Sequence, residues 1–167
     1  MTPTDLMPPL RDHLNMELIC HRALLANLEQ QQRELVANHI PAFAELVTKC
    51  EPLITEQSRL RKGREKIIAG FAVLMERPGK SLSLADVIAI ATEPLKGELS
   101  ARHLVLKDTL QKLRAVQERN QALVRQGLGF VRDLVGTLTG EPTQGGYDRR
   151  GHDGGRPGNG RLVNLAG

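Results

Sequence analysis

Apolar residues recur at three- and four-residue spacing near the start of the chain: Leu14, Leu18, Leu25, Leu28 and Leu35, with His21 and Gln32 interrupting the stripe. That period marks one face of a helix and predicts a long amphipathic helix over residues 10–35. Pro8 and Pro9 fall just before or within its first turn, where a missing N–H costs little. Pro41 disfavours helix at Ile40, so the helix is expected to end at the NHIP segment and a second to open there.

The second helix carries two stripes. Phe43, Val47, Cys50, Ile54, Ile68, Phe71 and Met75 form one seam, and Leu46, Leu53, Leu60, Ile67 and Leu74 repeat every seven residues beside it. Two adjacent stripes predict contact with more than one neighbour. Pro52 is expected to kink this helix or to mark its true start. Gln57, Arg61 and Arg64 make the seam polar in the middle, which a coiled coil tolerates. The helix stops at Arg77, Pro78 and Gly79. A short helix follows, capped by Ser83 with Asp86 reaching back and closed before Pro94. Its apolar residues Leu84, Val87, Ile88 and Ile90 suit a lid on one end of a bundle.

The last helix is expected over residues 98–138, about 60 Å long at 1.5 Å per residue. Leu106, Leu110, Leu113, Val124, Val131, Leu134 and Leu138 keep a heptad register, with Gln117, Asn120 and Gly127 at the intervening seam positions. After Gly140 the periodicity stops and glycine, proline and charge take over, a composition that predicts disorder in isolation. The expected fold is therefore all-α: long antiparallel coiled-coil helices in an elongated bundle, with a short connecting helix and a disordered C-terminal tail. The domain boundaries are 1–140 for the helical domain and 141–167 for a flexible Gly/Arg-rich tail.

Composition supports helix-on-helix packing, because three phenylalanines, one tyrosine and no tryptophan leave a core of Leu, Ile, Val and Ala. A net charge of +4, from 23 basic and 19 acidic residues, is too small and dispersed to point to nucleic acid. Arg149, Arg150, Arg156 and Arg161 make the tail basic, but it has a single aromatic on which a base could stack. The opening residues have neither a basic n-region nor an apolar run, so no cleaved signal and no membrane insertion are expected.

Candidate chemistry is sparse. None of His13, His21, His39, His103 and His152 is expected to pair with an acid or another histidine at ligand spacing on one helical face. Cys20 and Cys50 lack a C-x-x-C arrangement and read as free thiols in a reducing compartment. The tail glycines match no phosphate-binding loop, since no strand precedes them and no helix follows. No metal, no cofactor and no enzymatic constellation is expected. What does stand out is the end of the last helix, where Leu123, Val124, Leu128, Phe130, Val131, Leu134, Val135 and Leu138 wrap most of the circumference. Periodicity alone leaves open whether they are core or an exposed binding groove.

The segments ERNQALVRQGLGFVRDLVGTLTG and YDRRG, with LITEQSRLRKGREK earlier, resemble the FlgN-type flagellar export chaperones. The specific parts are ERNQ at residues 118–121 and YDRRG at residues 147–151. The resemblance implies a cytoplasmic chaperone that holds hook-associated (hook–filament junction) proteins before type III secretion and delivers them to the export gate. It implies a client helix on the eight apolar residues just named, and gate docking through Tyr147 with Gly151. YDRRG is more basic than the family's usual filling. A monomer or a homodimer fits equally. Two other readings stay open on the residues alone: a self-associating structural coiled coil, and an RNA-binding adaptor using the Arg/Gly tail.

Overall fold

The computed structural model describes residues 2–76 and 82–139. Among them all regular structure is helical: a 3-10 turn at Pro3–Leu6, then α1 (Met7–Val36), α2 (Ile40–Leu74), α3 (Leu84–Ala89) and α4 (Leu95–Thr139). The chain divides into two units, Met1–Gln126 and Gly127–Gly167. In the first, His13 meets Leu60, Cys20 meets Leu53 and Asn27 meets Leu46, so partner numbers fall along α2 as they rise along α1. The two helices are antiparallel. Asn15 meets Arg102 and Leu28 meets Asn120, so α1 and α4 run parallel.

The helix ends follow local chemistry. Pro8 and Pro9 stand in the first turn of α1, which starts three residues earlier than its stripe. At its C-terminus, Asn38 takes a left-handed φ of 57°, the His39 N–H donates to the Glu34 carbonyl and the Asn38 N–H to Leu35. This closing turn satisfies the last carbonyls, and asparagine tolerates its backbone geometry. Ser83 caps α3 with the expected reciprocal hydrogen bonds to Asp86, yet α3 closes at Ala89, well before Pro94. Pro52 neither starts nor ends α2, which runs unbroken through it. Pro52 is exposed, so water can satisfy the Thr48 carbonyl that loses its helical partner.

The main core lies where α1, α2, α3 and α4 meet. Leu10, Leu14, Phe71, Val87 and Leu99 are fully buried there, and Val87 and Ile88 seat α3 as the expected lid. Ile90, assigned to the lid face from its spacing, is exposed because α3 has ended before it. A second cluster joins Cys20, Leu24, Cys50, Leu60 and Leu113. On α4 the buried positions are Leu99, Leu106, Thr109, Leu113, Val116 and Asn120. The heptad partner stripe is thus Thr109 and Val116, whereas Leu110 is half-buried and Gln117 exposed. The cause is rotation of α4 toward α1, fixed by the Asn120 Nδ2 hydrogen bond to the Leu28 carbonyl at 2.9 Å.

Between the two apolar clusters lies a polar layer. Glu17 is only 2% exposed and is ion-paired and hydrogen-bonded to Arg64 across the α1–α2 contact. His13 Nε2 donates to the Leu60 carbonyl at 2.6 Å and stands 3.8 Å from Glu17 Oε1, four residues on along α1, so contrary to expectation a histidine does face an acid on one helical face. Gly63 makes room for that ring: a Cβ there would sit 2.5 Å from His13 Cε1. His21 is buried, and among the described residues neither ring nitrogen meets a partner in good hydrogen-bond geometry; the Glu17 backbone is a polar group acting on it. Burial, helped by the nearby Arg64 charge, lowers the His21 pKa below its ordinary 6.5, because the charged ring is poorly solvated there. Burial raises the Glu17 pKa against the opposing pull of Arg64 and His13.

A stability profile follows from these directions. A depressed His21 pKa contributes stability that is complete above 6.5 and is lost as pH falls toward the folded-state value. Ionised Glu17 opposes folding, so its protonation at lower pH acts in the other direction. Urea unfolding at about pH 7.5 and about pH 5.5 should show a loss on acidification that shrinks in His21→Leu. Identical losses in the two proteins would remove His21 as the source.

Candidate functional site

The C-terminal end of α4, residues 127–139, holds three glycines and several β-branched residues of low helix propensity, and its large apolar side chains are exposed. Leu128, Phe130, Val131, Leu134, Val135 and Leu138 are all accessible, Phe130 at 70% and Leu138 at 78%. At 100° per residue these six fall on an arc of about 160°. That is one face rather than most of the circumference, because Gly129, Arg132, Asp133, Gly136 and Thr137 fill the other. An apolar arc of this width on a solvated helix is the geometry of a surface that receives another apolar element.

Leu123 and Val124 were grouped with this face from spacing, and both are half-buried. Val124 lines a separate cleft of about 450 Å³ with Leu28 of α1 and Phe43, Val47, Cys50 and Ile54 of α2. A neighbouring cleft of about 410 Å³ lies further along the same α2–α4 seam, lined by Ile68, Leu106, Leu110 and Lys107 and bounded by Leu82 and Leu84. The sequence wrote Val47 and Ile54 into a packed seam, but they are 40% and 52% exposed. Reasoning from period alone could not find this cleft, since an apolar stripe looks the same covered or open. The available signal was that α2 carries a second stripe along residues 43–54, more apolar surface than one neighbouring helix covers.

ERNQ acquires a structural role at Asn120, which is buried and binds α1 through Leu28; its Oδ1 is without a hydrogen-bond partner among the described residues. Tyr147, Gly151 and the closing RLVNLAG segment lie outside the described residues, as does the whole of the proposed tail. Cys20 and Cys50 are buried free thiols whose pKa values burial pushes up, an unreactive setting. Among the described residues no group of three or more His, Cys, Asp or Glu is placed to hold a metal ion. No helix among them is long and apolar enough to cross a membrane.

Long helices with an uncovered apolar seam, and a helix end whose apolar side chains are exposed, define an all-α protein. A family model described as FlgN protein matches residues 7–153, most of the chain, and the chain belongs to that family of flagellar export chaperones. No curated protein and no solved structure matches it.

Proposed function

We propose that the protein holds hook-associated, hook–filament junction proteins in the cytoplasm before their export, and passes them to the gate of the flagellar secretion apparatus. Membership of the FlgN family supports the general role, and the exposed apolar arc of α4 from Leu128 to Leu138 is the observation that carries the client site. A client helix laid on that arc buries its own apolar face, which suppresses self-assembly without any chemical step. Tyr147, with Gly151, serves as the gate contact. An aromatic side chain outside the helical domain can fill a partner's pocket and release it again, as delivery requires.

The test uses two variants. Val131→Asp with Leu134→Asp should leave helix content intact, since both positions are exposed, and should weaken client binding by at least about tenfold, because two carboxylates would be buried unpaired. Tyr147→Ala should leave client affinity unchanged and weaken gate docking by about thirtyfold, the equivalent of about 2 kcal/mol. Titration with a purified hook-associated protein and with the gate's soluble domain separates the two steps. Loss of self-association in the first variant, with client affinity untouched, would favour a structural coiled coil instead.

A further inference from the structure

We infer that the open seam between α2 and α4 is a second docking site, one that takes an amphipathic helix of a partner protein with carboxylates along one flank and cations along the other. The seam lies wholly within residues 1–126 and stands whatever the end of α4 binds. Three observations lead to it. First, the apolar floor is real but uncovered: Val47 and Ile54 are exposed, Phe43 and Val124 half-buried, and the two clefts follow one another along antiparallel helices. From Phe43 to Arg64 the α2 side spans about 30 Å, enough for a helix of about 20 residues. Second, the volumes fall within the roughly 300–1,000 Å³ typical of ligand clefts, and α2 and α4 line both of them.

Third, the rims carry opposite charge. On the α4 side Lys107, Arg114 and Arg125 line the clefts, and none has an ion-pair partner among the described residues. On the α2 side stand Glu51, likewise without an ion-pair partner, Glu65, ion-paired with Arg61 at 4.0 Å, and Arg64, whose charge is met by Glu17. A helix with acids on both flanks meets repulsion from Glu51 and Glu65, and one with cations on both flanks meets it from α4. The mixed pattern satisfies both rims and sets the direction in which the helix lies.

Three synthetic helical peptides of about 20 residues, with one shared leucine stripe and flanks Glu/Lys, Glu/Glu or Lys/Lys, test this on the full chain. Fluorescence anisotropy should show saturable one-to-one binding of the Glu/Lys peptide, at least about tenfold tighter than either of the others. Val47→Asp with Ile54→Asp should abolish it, while Val131→Asp with Leu134→Asp should leave it unchanged, which separates this site from the proposed client surface. Lys107→Glu, Arg114→Glu and Arg125→Glu together should make the Lys/Lys peptide the tightest ligand. A photoreactive side chain at position 47 should crosslink to the Glu/Lys peptide. No binding, equal binding of the three peptides, or an unchanged order in the charge-reversed variant would overturn the proposal. So would a crosslink from position 47 to a second copy or to the chain's own C-terminal residues when no peptide is present, since either would name a different occupant.

Discussion

Arg64→Leu is expected to destabilise the folded chain by about 3 kcal/mol, the lower end of the range for breaking a buried ion pair. Glu17 is 2% exposed and keeps a carboxylate in the middle of the α1–α2 contact, where the Arg64 guanidinium is its ion-pair and hydrogen-bond partner. Its second oxygen, Oε1, makes no hydrogen bond among the described residues, so when Arg64 is gone the charge faces only His13 Nε2, 3.8 Å away. The lower end applies because the Arg64 side chain is 23% exposed and part of its attraction is screened. At about 2–4 °C per kcal/mol for a chain of this size, the melting temperature should fall by roughly 6–12 °C.

The double variant Glu17→Leu with Arg64→Leu distinguishes a lost pair from a stranded charge. Removing both partners takes away the desolvation cost along with the attraction, and the apolar replacements extend the neighbouring clusters, so the double variant should return to within about 1 kcal/mol of the parent. Burial already raises the Glu17 pKa, and ionised Glu17 therefore opposes folding as pH rises through that value. In the single variant this opposition is unrelieved, so its deficit should shrink on acidification as Glu17 takes up a proton. Denaturant unfolding followed by helix circular dichroism reads all three. A double variant as unstable as the single one would mean that Arg64 acts through packing of its stem rather than through the charge of Glu17.

This pair shows where the sequence was legible and where it was not. Long helices could be read from three- and four-residue spacing, and their ends from Pro41, Ser83 and Asp86, because those signals are local. Glu17 and Arg64 lie 47 residues apart, and nothing in either neighbourhood says that one buries the other. Arg64 was legible as a polar interruption of an apolar seam, but its partner was not. The same limit explains α4. A heptad stripe fixes which residues share a face; whether Leu110 or Thr109 is the more buried depends on a rotation of the helix, set here by a hydrogen bond from Asn120 to α1. Pro52 does not mark the start of α2, because a proline whose freed carbonyl is open to water can stay within a helix. The exposed arc of α4 was visible as an apolar excess, yet its width came from placing Gly129, Arg132 and Gly136 on the opposite side.

Phe71→Ala should cost about 3–5 kcal/mol, the largest effect expected of any single apolar truncation in the chain. The three phenylalanines occupy three different surroundings, and truncating each reads a different part of the molecule. Phe71 is fully buried in the cluster that joins Leu10 of α1, Val87 of α3 and Leu99 of α4. Its removal opens a cavity in the cluster shared by α1, α2, α3 and α4, which adds to the lost burial. Phe43 is half-buried on the α2–α4 seam, so Phe43→Ala should cost about 1 kcal/mol and fall mainly on whatever docks there. Phe130 is 70% exposed on the arc of α4, and Phe130→Ala should change stability by no more than about 0.5 kcal/mol. Urea unfolding of the three variants in parallel gives the order directly. A Phe130→Ala deficit as large as that of Phe71→Ala would show the end of α4 packed in solution, and the apolar arc would then be core rather than a surface kept open for a client.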